Sequence, residues 1–171
     1  MPDARKAYVD SCVYLAYVNN ESAKMPDIDA VFAEAGRKEI ELWTSVVTIS
    51  EVAFAKLEQD GKLPDEATMV RIDALWLPPA PTKLIEFYEA IARDARDVVR
   101  LALPDGRKPL KPMDAIHVAT AKRWGIETIY TYDDGMIEWA PDLGMTIMYP
   151  RPEKPEFPWV NLGAIEPGPP A

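Results

Sequence analysis

Short runs of hydrophobic, mostly β-branched residues alternate with longer segments of helical periodicity along this chain. The runs predict strands at residues 7–9, 42–47, 127–131 and 145–148. A further run, 84–88, fits either a strand or the beginning of the long helix that extends to residue 103. Helices are predicted at residues 13–18, 27–37, 50–59, 65–77, 112–124 and 136–139. Strands separated by helices favour βαβ units, so we expect an α/β fold, a three-layer α/β/α sandwich with a mainly parallel central sheet.

Proline is concentrated at the C-terminal end of the sequence. The chain has 171 residues and 17 prolines, and seven of these prolines lie between Pro150 and Ala171. Proline interrupts both helix interiors and central strands. We therefore expect one domain over residues 1–149, followed by a Pro-rich tail over residues 150–171.

The composition excludes several classes of protein. One cysteine, Cys12, and one histidine, His117, exclude an internal disulfide framework and a Cys/His metal cluster. No hydrophobic stretch approaches the roughly 18 residues of a membrane-spanning helix, and the first residues lack the hydrophobic region of a signal peptide. We therefore expect a cytoplasmic protein without a membrane partner. The net charge of −9 argues against a general nucleic-acid binder.

Four acidic residues have related positions in the predicted fold. Three follow predicted strands and one begins a predicted helix: Asp10, Glu51, Asp133 and Asp114. The carboxyl ends of parallel strands share one edge of a sheet, where open α/β sheets bind ligands. Each acid also has a structural interpretation. Asp10 and Asp133 would be helix N-caps, and Asp114 would stabilise its first helical turn. Glu51 would close a capping box that begins at Thr48.

Four carboxylates at one edge of a sheet would repel each other and raise each other's pKa values. A divalent cation relieves that repulsion. Carboxylate ligands without cysteine or histidine favour a hard cation, Mg²⁺ or Mn²⁺, and such ions also bind phosphate oxygens. They activate water and stabilise the leaving oxygen in phosphodiester hydrolysis. The pattern therefore predicts metal-assisted attack of water on a phosphodiester.

Four sequence segments resemble the motifs of a known family. They are Val-Asp-Ser at 9–11, Thr-Ile-Ser-Glu-Val at 48–52, Pro-Met-Asp-Ala-Ile-His-Val-Ala-Thr-Ala at 112–121 and Tyr-Thr-Tyr-Asp at 130–133. In order and spacing the chain resembles the PIN-domain nucleases over roughly residues 5–148, and most of all the VapC-type toxin ribonucleases of prokaryotic toxin–antitoxin systems. The resemblance implies that the four acids form a catalytic metal site. It also implies that Thr131 orients a metal-bound water molecule and that Asp134, which adjoins Asp133, ranks second for the fourth acid position of the metal site.

The resemblance further implies Mg²⁺- or Mn²⁺-dependent cleavage of single-stranded RNA, a homodimer and, for a VapC-type toxin, a cognate antitoxin. Residues 93–111 carry a charge of +3, with six basic residues against three aspartates. Candidate RNA contacts in this segment are Arg93, Arg107, Lys108 and Lys111. The alternative is a solvated helix face in which Arg93, Arg96 and Arg100 pair with neighbouring aspartates.

Two other functions remain as alternatives. One is a catalytically silent PIN-like module that binds RNA or protein, against which the presence of all four acids argues. The other is a phosphoacceptor receiver domain, which needs an acid pair before the aspartate of its first strand, whereas Val9 precedes Asp10 here. His117 lies three residues after Asp114, and we expect it to be a packed or hydrogen-bonded histidine rather than a general base.

Overall fold

Strands and helices alternate along the chain, as predicted. The computed structural model describes residues 4–52, 60–104 and 106–152. The strands are β1 (Arg5–Val9), β2 (Ile40–Ser45), β3 (Thr82–Ile85), β4 (Thr128–Tyr130) and β5 (Thr146–Met148). The helices are α1 (Ser11–Val18), α2 (Met25–Gly36), α3 (Val47–Val52), α4 (Glu66–Asp73), α5 (Glu89–Arg100), α6 (Pro112–Arg123), α7 (Asp134–Ile137) and α8 (Ala140–Leu143).

The five strands form one parallel sheet in the order β3-β2-β1-β4-β5. From β1 the chain builds outward on one side through β2 and β3, and it then returns to the other side of β1 to add β4 and β5. Tyr8 of β1 is therefore in register with Trp43 of β2 and with Ile129 of β4. The strand order reverses at β1, which makes the end of β1 the switch point where sheets of this kind bind ligands.

Side chains of β1 alternate between two hydrophobic cores, one on each face of the sheet. Tyr8 belongs to the core that contains Ile91 of α5 and Val118 of α6. Ala7 and Val9 point to the opposite face and pack with residues of α1, α2 and α4. Because successive residues of a strand face opposite sides, a strand buried on both faces must be hydrophobic throughout. The predicted three-layer α/β/α arrangement is confirmed.

The ends of several elements differ from the predicted ones for local reasons. β2 ends at Ser45 rather than at residue 47, because α3 begins at Val47. Of the ambiguous run at 84–88, residues 84–85 belong to β3, residues 86–88 form the connection, and α5 begins separately at Glu89. α6 begins at Pro112 and stops before Gly125, whose φ of +64° is the left-handed conformation that terminates helices.

Parts of two predicted segments lie outside the described residues. The helix predicted at 50–59 corresponds to α3 as far as Val52, and residues 53–59 are not among those described. The Pro-rich tail is described only to Pro152, so the domain boundary at residue 149 stays a prediction. None of the helices in the described ranges combines the length and the hydrophobicity that crossing a bilayer requires.

Candidate functional site

The four predicted acids lie at the edge of the sheet formed by the carboxyl ends of the strands, as two pairs. Asp10 directly follows β1, and Asp133 lies three residues after β4. Glu51 is carried by α3, which follows β2, and Asp114 lies in the first turn of α6. Two side chains connect them in pairs. His117 contacts Asp10 and Glu51, and Lys111 contacts Asp114 and Asp133.

Asp10 is the most firmly held of the four acids. Its side chain is buried, and its Oδ1 accepts a hydrogen bond from the backbone N–H of Ser11 at 2.8 Å. Its Oδ2 accepts from Thr131 Oγ1 at 2.8 Å and from Cys12 Sγ at 2.9 Å. Burial, with the nearby Asp10 charge, raises the pKa of the Cys12 thiol, so the thiol stays protonated and donates. Asp10 also caps α1, so the predicted cap and the predicted site residue are the same carboxylate.

Thr131 connects the acids of two neighbouring strands. Its hydroxyl donates to Asp10, and the same oxygen accepts the backbone N–H of Asp133 at 3.0 Å. Asp133 in turn caps α7 by accepting from the N–H of Gly135 at 2.8 Å, while its Oδ2 faces Lys111 at 3.4 Å. The fully buried Thr131 hydroxyl therefore orients Asp10 directly.

The capping-box interpretation of Glu51 is wrong. Because α3 begins at Val47, Thr48 lies inside the helix, and its hydroxyl pairs with Thr44 Oγ1 at 2.8 Å. The Glu51 carboxylate accepts a hydrogen bond from His117 Nε2 at 2.8 Å instead of returning to the helix N-terminus. Glu51 therefore faces the same site as Asp10.

His117 is completely buried and hydrogen-bonded, as predicted. Its Nδ1 lies 2.7 Å from Tyr8 Oη, and its Nε2 lies 2.8 Å from Glu51 and 3.3 Å from Asp10. Burial opposes a charge on the ring, but Tyr8, Glu51 and Asp10 outweigh burial and raise the pKa of His117 well above its usual value. The contact with two candidate ligands was not predicted. The available signal was the spacing of three residues from Asp114, which puts both side chains on one face of α6.

Asp114 experiences the excess of negative charge at this edge. Burial raises the pKa of its carboxyl, Lys111 lowers it, and Asp10 and Asp133 raise it further, with a net upward shift. Lys111 Nζ lies 3.9 Å from Asp114 and 3.4 Å from Asp133, and both acids raise the pKa of the Lys111 ammonium. Lys111, predicted as an RNA contact, is thus also a counter-ion of the acids.

Asp134 is turned away from the other acids of the site, Asp10, Glu51, Asp114 and Asp133. Its Oδ1 accepts a hydrogen bond from the Tyr149 hydroxyl, so Asp133 rather than Asp134 contacts Lys111. Both side chains of the Asp134–Tyr149 pair are exposed.

The other predicted basic residues differ in how far they are already paired. Arg93 pairs with Glu89 on α5, and Arg96 and Arg100 both pair with Asp97, which matches the alternative of an ion-paired helix face. Arg107 pairs with Asp142 at 3.0 Å and lies 4.0 Å from the centre of the Trp139 ring. Lys108 is exposed, and the described part of the chain offers it no hydrogen bond or ion pair.

The acids fit a hard cation in chemistry, although they are not arranged around one. Among residues 4–52, 60–104 and 106–152, no three Asp, Glu, His or Cys side chains form a ready ligand set. Asp10 and Glu51 are turned toward His117, and Asp114 and Asp133 toward Lys111. The donors are carboxylate oxygens, which Mg²⁺ and Mn²⁺ prefer. Burial is the main cause of the raised pKa of Asp114, and Asp10 and Asp133 add to it with negative charge that a divalent cation would neutralise.

Comparisons with known proteins identify the family and the fold. A sequence model described as the PIN domain matches residues 7–140, and a search of curated proteins found no match. Among solved structures, VapC20 of Mycobacterium tuberculosis, described as a sarcin–ricin loop cleaving toxin, is 19% identical, with a TM-score of 0.59 over 77% of this chain and 93% of that chain.

Two further solved structures share the fold. VapBC2 from Rickettsia felis, bound to a DNA fragment from its promoter, is 11% identical, with a TM-score of 0.61 over 83% of this chain and 96% of that chain. FitAcB from Neisseria gonorrhoeae is 18% identical, with a TM-score of 0.56 over 84% of this chain and 97% of that chain. The family match spans β1 through α7 and includes all four acids of the cluster. The chain therefore belongs to the PIN domain family.

Proposed function

We propose that this protein is a Mg²⁺- or Mn²⁺-dependent endoribonuclease that hydrolyses phosphodiester bonds of single-stranded RNA. The observation that carries the proposal is that four acids lie at the carboxyl-end edge of a parallel sheet, at its switch point, where burial, together with the neighbouring acids Asp10 and Asp133, raises the pKa of Asp114. Perturbed carboxyls of this kind are typical of functional sites.

In this proposal the metal ligands are Asp10, Glu51, Asp114 and Asp133. When bound, the cation supplies positive charge to the phosphate oxygens and promotes attack by water. The acids come from four chain segments that the sheet and α6 hold in fixed positions. Asp10 is fixed most completely, because Ser11, Cys12 and Thr131 all donate hydrogen bonds to it.

The chain also supplies positive charge at the rim of the site. The Lys111 side chain is 69% exposed, so its ammonium can reach a substrate phosphate while it remains near Asp114 and Asp133. Lys108 precedes it by three residues and is also exposed. The ammonium groups of Lys108 and Lys111 can bind backbone phosphates at an otherwise acidic edge of the sheet.

We further propose that the protein is the toxin of a VapBC-type pair, acting in the cytoplasm as a homodimer with a cognate antitoxin. Support comes from the likeness in fold to VapC20, VapBC2 and FitAcB over at least three quarters of this chain. The VapC20 structure is described as that of a sarcin–ricin loop cleaving toxin, and the VapBC2 structure as bound to promoter DNA.

A second candidate function is a PIN-like module that binds RNA or protein without cleaving. The observation in its favour is that each of the four acids contacts His117 or Lys111. In such a protein these internal contacts would replace the cation permanently.

The deciding experiment is incubation of the purified protein with a mixed pool of single-stranded RNA and Mg²⁺ or Mn²⁺. We expect cleavage that EDTA abolishes and that Asp10→Asn eliminates. Asp29→Asn is the matched control, because it makes the same change on an exposed position of α2. Absence of cleavage with either metal, by folded protein freed of any co-purified partner, would instead support the binding module.

A further inference from the structure

A series of hydrogen bonds joins the backbone of β2 to Glu51 through two buried rings. The N–H of Ser45 donates to Tyr8 Oη at 3.0 Å, and Tyr8 Oη lies 2.7 Å from His117 Nδ1. On the other side of the imidazole, Nε2 lies 2.8 Å from Glu51 Oε2. Tyr8 and His117 are both fully buried, so water does not compete for the contact between the two rings, whereas the Glu51 side chain is 22% exposed.

The chemistry of the partners determines which ring nitrogen donates to the acid. An ionised carboxylate only accepts hydrogen bonds, so His117 Nε2 carries the hydrogen whether the imidazole is neutral or charged. The Tyr8 hydroxyl can donate to Nδ1 or accept from it, so this contact also persists in both states. A rotated ring would present carbon atoms to Glu51 and Tyr8, and the two contacts together therefore hold one orientation of the imidazole.

The same Nε2 also lies 3.3 Å from Asp10 Oδ1. Asp10 follows β1 and Glu51 is carried by the helix after β2, so the two carboxylates belong to different segments of the chain. One N–H thus hydrogen-bonds Glu51 and lies within ion-pair distance of Asp10, so it links the position of the Glu51 carboxylate to that of Asp10. The spacing of Asp10 and Glu51 thus depends on α6, which carries His117.

We propose that His117 is a positioning residue that holds the carboxylates of Glu51 and Asp10 at the spacing needed to share a divalent cation, with Tyr8 fixing its ring. The inference rests on the proposed function, because it takes these two acids to be metal ligands. His117 acts through the acids and touches neither substrate nor the reacting phosphate. Partners of this kind affect metal affinity because they orient the ligands.

Three variants separate positioning from packing. His117→Leu keeps a comparable volume and removes both ring nitrogens. His117→Gln restores an N–H donor on a side chain long enough to reach Glu51. Tyr8→Phe leaves His117 in place and removes only the hydroxyl that contacts Nδ1. Circular dichroism and thermal melting of each protein in EDTA establish that it is folded.

Affinity for Mn²⁺, measured by electron paramagnetic resonance of the free ion, is the first measurement. We expect His117→Leu to weaken Mn²⁺ binding by about 10- to 100-fold, His117→Gln to recover part of the loss and Tyr8→Phe to give an intermediate value. We also expect kcat for RNA cleavage to fall with little change in KM. The proposal would be overturned if folded His117→Leu had the same Mn²⁺ affinity and the same kcat as the original protein. If His117→Leu does not fold, an unchanged Mn²⁺ affinity and kcat in Tyr8→Phe would overturn it.

The single histidine of the chain provides a second measurement that is independent of cleavage. In protein with ¹⁵N-labelled histidine, long-range ¹H–¹⁵N spectra report on both ring nitrogens of one residue. We expect Mg²⁺ to shift the Nε2 resonance and Tyr8→Phe to shift Nδ1. An imidazole unaffected by saturating Mg²⁺ would contradict the proposal.

Protein that binds Mn²⁺ but cleaves no RNA would contradict the nuclease function, while the Mn²⁺ affinities of the variants would still test the role of His117. If the protein binds neither Mg²⁺ nor Mn²⁺, both the nuclease function and the positioning role of His117 would be overturned.

Discussion

Thr131 Oγ1 donates a hydrogen bond to Asp10 Oδ2 at 2.8 Å, although the two residues are 121 positions apart in the sequence. The same oxygen accepts the backbone N–H of Asp133 at 3.0 Å. One hydroxyl between β4 and α7 therefore determines the orientation of one acid and the backbone position of another. Its importance can be tested by substitutions that differ only in that group.

Thr131→Val replaces the hydroxyl by a methyl group of similar size. We expect kcat for RNA cleavage to fall with KM nearly unchanged, because Asp10 loses a donor while the substrate contacts remain. The loss of a buried hydrogen bond to a charged group also destabilises the folded protein by about 1–3 kcal/mol. Urea unfolding and steady-state kinetics measure the two effects. Thr131→Ser keeps the hydroxyl and serves as the control, and equal activity in the Val and Ser variants would contradict this role.

Asp114→Asn removes a carboxyl whose pKa is raised by burial and by neighbouring acids. A carboxyl with a raised pKa in the folded state destabilises that state at neutral pH, because the unfolded chain ionises it more easily. In EDTA at neutral pH we therefore expect Asp114→Asn to melt at a higher temperature than the original protein while cleavage is abolished. A lower melting temperature would indicate that the carboxylate mainly stabilises the first turn of α6.

The difference in melting temperature between Asp114→Asn and the original protein should change with pH in one direction. Stability from a carboxyl with a raised pKa is present at low pH and is lost as pH rises from the ordinary carboxyl range to the raised pKa of Asp114. The difference in melting temperature between Asp114→Asn and the original protein should therefore grow with pH in EDTA. Saturating Mg²⁺ should reverse it, because ligand binding stabilises the folded original protein. Thermal melts from acidic to neutral pH check both trends.

Lys111→Met tests a side chain with two opposing roles. In the proposed site Lys111 would compete with the cation for Asp114 and Asp133, and the Lys111 side chain is 69% exposed. We expect Mn²⁺ to bind about two- to fivefold more tightly to the variant, as for the loss of an exposed ion pair, while KM for RNA rises. Lys38→Met, an exposed position between α2 and β2, is the matched control. Weaker Mn²⁺ binding in Lys111→Met would exclude competition.

Lys108 should contribute more to RNA affinity than Arg93 does. Arg93 is engaged by Glu89, whereas Lys108 is exposed without an ion pair in the described part of the chain. In an Asp10→Asn background, which prevents cleavage, we expect Lys108→Ala to weaken binding of single-stranded RNA and to lower the slope of log K against log salt by about 1. Arg93→Ala should change neither by a comparable amount. Fluorescence anisotropy at several salt concentrations measures both slopes.

Most of the fold follows from local sequence signals. The hydrophobic runs of β1 and β4 are buried on both faces of the sheet, and Pro112 and Gly125 mark the ends of α6. The order of the strands does not follow from such signals, because parallel pairing depends on crossovers that no short segment encodes. The start of α3 differs from the predicted one for a related reason, since Val46–Val47 suits a strand and a helix equally.

The sequence indicated which acids would meet but not what would hold them. Their positions after strands were enough to predict convergence, because parallel strands end at one edge. The contacts of His117 and Lys111 with these acids depend on how α6 packs against β2 and β4, which is a matter of tertiary structure. The hydrogen bond from the partly buried Cys12 to Asp10 had no sequence signal at all, since a lone cysteine resembles any small hydrophobic residue.

The central position of β1 has a consequence during synthesis of the chain. Val9 is in register with Tyr130, so the side of β1 that pairs with β4 stays open until residues near 130 have been made. A growing chain that has reached α5 already contains Asp10 and Glu51, but it lacks His117, Thr131 and the other two acids. The complete set of acids therefore assembles only when nearly the whole domain has left the ribosome, and shorter nascent chains cannot form the site.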